Sequence, residues 1–228
     1  MKQILFLVLL FFQLYSFGQL TKYVDWANLK KYEQQNTQIK QQTMDQKIVL
    51  MGNSITEFWS HSDSTFLVRN PYINRGISGQ TTPQMLLRFR QDVVELHPSM
   101  VVILAGINDI AENTGPISLE QTFGNIASMA EIAVANKIKV VLCSVLPAYD
   151  FPWRRGMNPA PKVIQLNAML KDYAKKNNMV YVDYFSAMVD ERGGLDKKYT
   201  NDEVHPTLAG YQVMEPLLKA GIKLAFEK

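Results

Sequence analysis

Four short segments hold the residues best suited to chemistry. They are Gly52-Asn53-Ser54-Ile55-Thr56, Asn74-Arg75-Gly76-Ile77-Ser78-Gly79, Gly106-Ile107-Asn108-Asp109 and Asp202-Glu203-Val204-His205-Pro206. A serine hydroxyl is a weak nucleophile until a base takes its proton. His205 is the natural base, because neutral imidazole accepts and returns a proton near neutral pH. Asp202 stands three residues before it, so one turn of chain sets both side chains on the same side. Its carboxylate can then accept the imidazole Nδ1–H, fixing the tautomer and stabilising the imidazolium. Attack on an ester builds negative charge on the carbonyl oxygen, and donors must point at that position. Gly79 offers a bare backbone N–H that can approach closely, Asn108 a side-chain amide, and Ser54 its own N–H at a helix start. The candidate triad is therefore Ser54, Asp202 and His205, and the candidate oxyanion hole is Ser54, Gly79 and Asn108.

The elements that must position these groups follow from periodicity. Short apolar runs occur at Ile48–Met51, Tyr72–Ile73, Val101–Leu104, Val140–Cys143 and Met179–Val182. Helical patterns fall between and after them, at about 82–95, 118–136, 160–177 and 208–226. Short apolar strands alternating with helices predict an α/β fold, a three-layer α/β/α sandwich with a five-stranded parallel sheet covered on both faces. Right-handed crossovers then bring every strand C-terminus to one edge, where the sites of open α/β sheets lie. Three of the four segments directly follow predicted strands. Upstream, Trp26, Leu29, Tyr32 and Ile39 fall at roughly helical spacing after a possible Asp25 cap. They predict one amphipathic helix within residues 19–46, lying outside the domain.

Together the four segments resemble the blocks of the GDSL, or SGNH, esterase family, whose markers are Ser, Gly, Asn and His. Here these fall on Ser54, Gly79, Asn108 and His205, with the aspartate of D-x-x-H-P at Asp202. The resemblance spans residues 47–212. It implies the flavodoxin-like sandwich reached above, an acyl-enzyme mechanism, the same triad and the same three oxyanion donors. One position departs from the pattern: the family's first block usually reads Gly-Asp-Ser, and here Asn53 replaces the aspartate. The G-x-S-x-G elbow of the α/β-hydrolases is absent around Ser54, which argues against that fold. Exported bacterial members of the family often deacetylate glycans, so the resemblance implies a serine carboxylic-ester hydrolase removing acetyl groups from carbohydrates. Alternatives are a lysophospholipase- or thioesterase-like enzyme for longer acyl groups, an O-acyltransferase, and a glycan-binding module with a degraded site.

Other residues fit around this centre. The stretch from Pro147 to Pro159 follows the fourth strand and is rich in proline, aromatics and arginine. Tyr149, Trp153 and Arg154 are its candidate substrate contacts, with Arg75 as a fourth from the second block. Phe58 and Trp59 are expected to pack as core, and Asp109 to brace its loop. His61 and His97 lack metal-ligand spacing, and a single cysteine excludes a Cys–His cluster. No metal and no cofactor are expected, and Cys143 reads as a buried core thiol. The net charge of +3 gives no reason to expect a nucleic-acid partner. A small-molecule or glycan ester is the expected partner. Lys2, the apolar run Ile4–Phe12 and the small residues Ser16 and Gly18 have the layout of a secretory signal peptide. The apolar run is well short of the roughly 20 residues a membrane span needs. A cleaved signal at 1–18, one domain at 19–228 and a periplasmic or extracellular location are expected.

Overall fold

The computed structural model describes residues 25–42 and 46–228. The signal-peptide expectation lies outside the described residues. Five parallel strands, β1 (Ile48–Gly52), β2 (Tyr72–Gly76), β3 (Met100–Leu104), β4 (Lys139–Cys143) and β5 (Val180–Val182), form one sheet in the order β2-β1-β3-β4-β5. β1 and β3 are buried along their whole length, as the apolar runs require when both faces are covered. One face carries α2 (Ser54–Ser62), with the short α3 (Ser64–Val68) after it, and α9 (Leu208–Glu227), with the short α8 (Phe185–Met188) packed against it. The other carries α4 (Thr82–Asp92), α6 (Leu119–Ala135) and α7 (Pro159–Lys176). This is the predicted three-layer sandwich. Cys143 is buried in its core, and burial pushes its thiol up to about 12.

Register brings the site together. Gly52 at the end of β1 lies beside Gly76 of β2 and Leu104 of β3. The three loops carrying the first three segments therefore leave the sheet at one level. Gly76 is the point of closest approach: a Cβ there would lie 2.2 Å from the Glu57 backbone nitrogen and 2.7 Å from the Asn53 carbonyl. Only glycine lets β2 lie this near the start of α2.

The N-terminal segment departs from expectation. Within the described residues its helix, α1, covers only Glu33–Lys40, and residues 26–32 form turns. The Asp25 carboxylate does accept the Leu29 and Lys30 amides, but it caps a turn. The helical spacing of Trp26 and Leu29 is thus coincidental, and Trp26 is exposed. The segment is packed against the domain. Ala27, Tyr32 and Asn36 are buried, and the polar side chains of the last two reach inward, a contact that hydrophobic periodicity does not register.

Candidate active site

Ser54 is the first residue of α2. Asn53 caps that helix, its Oδ1 accepting the Ile55 amide at 3.1 Å. A first-turn N–H has no partner within its helix, so the Ser54 amide remains available at the positive end of the helix dipole. Two contacts fix α2: the Asn74 amide donates to the Thr56 carbonyl at 2.6 Å, and the Tyr211 hydroxyl of α9 donates to the Ile55 carbonyl at 2.7 Å.

His205 comes from 151 residues downstream, and its Nε2 stands 2.9 Å from Ser54 Oγ. Its Nδ1 stands 2.6 Å from Asp202 Oδ2. The other carboxylate oxygen, Oδ1, accepts the His205 amide at 2.7 Å and the Val204 amide at 3.0 Å. Partial burial raises the Asp202 pKa, but the His205 amide, the imidazole and the Val204 amide outweigh it and hold the carboxyl below its ordinary value. With Nδ1–H donating to this carboxylate, Nε2 carries the lone pair that faces the serine. Glu203, between them, sits at φ +71°, and its carboxylate is tied to Arg155 at 2.5 Å.

Gly79 occupies the left-handed region at φ +77°, and no atom lies within 4 Å of where its Cβ would be. Asn108 is the second residue of the short helix α5 (Ile107–Ile110) and is buried. One of its amide hydrogens goes to the Gln80 carbonyl at 2.9 Å, leaving the other to donate elsewhere. The loop from Gly76 to Thr82 is pinned at nearly every residue. The Ile77 amide donates to Gly52, the Glu57 carboxylate accepts the Ser78 amide at 2.7 Å and hydroxyl at 2.6 Å, and Tyr32 donates to the Gly76 carbonyl. Burial opposes ionisation of Glu57, but Lys31 at 2.7 Å and Ser78 outweigh it and hold the carboxyl low. Asp109 accepts the Thr82 amide at 3.0 Å and its hydroxyl at 2.5 Å, so it braces this loop, and burial pushes its pKa up to about 6.

The expected substrate contacts divide. Trp153 is half exposed, with its ring 6.2 Å from the His205 ring, and its Nε1 donates to Asn113 at 3.2 Å. Asn113 in turn donates to the Gly79 carbonyl at 3.4 Å. Tyr149 is also exposed, but the Arg192 guanidinium covers its ring and its backbone abuts Gly194, so its contacts run to the 190–194 turn. Arg154 is committed to the Ala111 and Glu112 carbonyls and the Glu112 carboxylate. Arg75 does not face the cleft: it is 2% exposed, its Nε and Nη2 donate to Asn36 Oδ1, and its guanidinium covers the Tyr32 ring. Its place on a strand flanked by α1 decides this. Phe58 corrects the opposite way. Expected in the core, it is 36% exposed with its ring 5.2 Å from that of His205, while Trp59 is buried against Phe66. Glu57 and Phe58, three and four residues after Ser54, lie one helical turn on, which is the spacing signal that could have found both. Gln80 and Asn113 carried no signal beyond adjacency to Gly79 and Asn108. Among the described residues no group of three His, Cys, Asp or Glu could hold a metal ion.

A five-stranded parallel sandwich with a serine–imidazole–carboxylate relay at its C-terminal edge defines a class, and the sequence comparison places the chain in it. The profile of the GDSL-like Lipase/Acylhydrolase family matches residues 50–213, and the chain belongs to that family of carboxylic-ester hydrolases. A GDSL-like lipase of Bacteroides thetaiotaomicron superposes with a TM-score of 0.84 at 52% identity, covering 87% of this chain and 98% of that one. Esterase TesA of Pseudomonas aeruginosa is 32% identical over 139 residues, 60% of this chain and 62% of its own length. An acetylxylan esterase of Geobacillus stearothermophilus is 25% identical over 154 residues, 62% of this chain and 67% of its own. No helix among the described residues is long and apolar enough to cross a membrane.

Proposed function

We propose that this chain is an exported serine esterase that removes short acyl groups, chiefly acetyl, from carbohydrates. The observation that carries the reading is the continuous relay from Ser54 Oγ through His205 to Asp202, at 2.9 and 2.6 Å. In the first half-reaction His205 Nε2 takes the hydroxyl proton as Ser54 Oγ bonds to the ester carbonyl carbon. The oxyanion accepts from the Ser54 and Gly79 amides and the free Asn108 N–H. Collapse breaks the bond to the alcohol, which leaves with the proton from His205, and Ser54 holds the acyl group. Water repeats the sequence, releasing the carboxylic acid and restoring the serine.

The departing alcohol must pass the imidazole that protonates it. Phe58 and Trp153 flank that ring, and aromatic faces of this kind suit the flat apolar face of a sugar. The likeness to an acetylxylan esterase supports the same choice. Export rests on the layout of residues 1–18.

The test is product release from acetylated oligosaccharides, with p-nitrophenyl esters of increasing acyl length alongside. Acetate release, a maximum at two-carbon acyl groups and loss of both in Ser54→Ala are expected. A maximum at long acyl chains would overturn the acetyl reading, and retained activity in Ser54→Ala would overturn the mechanism. Sequencing the N-terminus of cell-exported protein should begin near Gln19.

A further inference from the structure

The reaction as read above leaves a fully buried guanidinium unused. Arg88, in α4, is 0% exposed. Its Nε donates to Gln80 Oε1 at 2.6 Å, its Nη2 to the Gly52 carbonyl at 3.0 Å and its Nη1 to Asp92 Oδ2 at 3.0 Å. Gln80 is itself buried. Its Nε2 donates to the Ala27 carbonyl at 2.7 Å, and its own carbonyl accepts the Asn108 amide at 2.9 Å. Asp92 Oδ1 accepts from Asn36 at 2.7 Å, and Asn36 accepts from Arg75.

One planar group thus spans both halves of the oxyanion hole. Gly52 lies two residues before Ser54, and Gln80 follows Gly79 and orients Asn108. A buried ion pair is a poor source of stability, since an apolar pair of similar volume serves as well or better. A guanidinium does offer a rigid fork of donors at fixed angles. Misplacement by about 1 Å of groups that must meet a transition state can cost about 100-fold in rate.

We propose that Arg88 and Gln80 are positioning residues that set the distance between the Ser54 amide and the Gly79 and Asn108 donors, with residues 27–36 as the outer anchor of the brace. The proposal rests on the oxyanion-hole reading above.

The test compares Gln80→Met, which keeps volume and removes both side-chain bonds, with the double variant Arg88→Met/Asp92→Leu, which removes both members of the Arg88–Asp92 pair at once. Expected in each is a kcat lower by about 10- to 100-fold, a KM within about threefold, and an unmoved pH profile, because the His205–Asp202 pair is untouched. Affinity for a boronic acid, which forms a tetrahedral adduct on Ser54, should fall by the same factor as kcat/KM. Combining all three substitutions should cost little more than either variant, since both cut one brace. Folded variants with kcat within twofold of the parent would overturn the brace, as would a rate loss that only follows the titre of fluorophosphonate-labelled sites. If the double variant fails to fold, Gln80→Met decides alone. Retained activity in Ser54→Ala would instead remove the reading beneath it.

Discussion

Replacing Asp202 by asparagine probes the relay at the point where the geometry is most demanding. Asp202 Oδ1 already accepts two backbone amides, from Val204 and His205, at 3.0 and 2.7 Å. An asparagine there keeps its single oxygen on those two donors, which turns its NH2 toward His205 Nδ1. Nδ1 must then present its lone pair, and the ring proton moves to Nε2, where it points at Ser54 Oγ. That tautomer cannot take the serine proton. A block of this kind costs about 10⁴ in kcat, or about 5 kcal/mol at 1.36 kcal/mol per tenfold. Hydrolysis of p-nitrophenyl acetate measures it, with circular dichroism to confirm the fold and burst titration to count sites. KM should stay within a few-fold, because the substitution touches no substrate group. The native carboxyl lies below its ordinary value. Its stabilising charge is present above the unfolded value of about 4 and is lost only as pH falls through the lower folded one. Its protonation therefore does not confound assays at pH 5–9. A folded Asp202→Asn enzyme within tenfold of the parent rate would refute the reasoning.

Gly76→Ala should lower Tm by about 6–12 °C in thermal unfolding, because its Cβ meets backbone atoms at 2.2 and 2.7 Å and neither strand nor helix can yield; overpacking here costs about 3 kcal/mol. Asp109→Asn tests the buried carboxyl. Its folded pKa of about 6 is raised, so its favourable contribution is full below about 4 and lost as pH rises through 6. The Tm of Asp109→Asn minus that of the parent should therefore grow from pH 4.5 to 7.5, by the equivalent of about 2 kcal/mol; a constant difference would disprove the assignment. Phe58→Ala and Trp153→Ala should each raise KM about three- to tenfold for acetylated sugars while leaving ethyl acetate, which has no ring in its leaving group, within about twofold.

Most of the fold was written in the sequence as burial. A strand covered on both faces is apolar throughout, and β1, β3 and β4 announced themselves that way. The candidate triad is legible for another reason: nucleophile, base and carboxylate must be particular residue types, and Ser54, His205 and Asp202 supply those types in the order the chemistry needs. The brace residues could not be read. Glu57, Gln80, Arg88 and Asn113 reach across the fold to backbone groups, and a polar residue in the sequence gives no sign of whether its side chain faces water or a buried backbone group. Arg75 is drawn inward by the buried Asn36 side-chain carbonyl, and Phe58 is left at the surface beside His205. The same holds for residues 25–40, whose inward contacts include hydrogen bonds from Tyr32 and Asn36 that an apolar stripe does not reveal.

The distance along the chain between Ser54 and His205 bears on how the protein is made. Synthesis runs from the N-terminus, and β5 ends at Val182. A nascent chain that has emerged to about residue 200 holds all five strands, the proposed nucleophile and each proposed oxyanion donor, but not the proposed base. The histidine and its aspartate arrive in the next few residues, immediately before α9, whose Tyr211 then closes onto the carbonyl of Ile55. On the proposed mechanism the serine therefore has no base until the segment from Asp202 to α9 folds back onto the sheet edge.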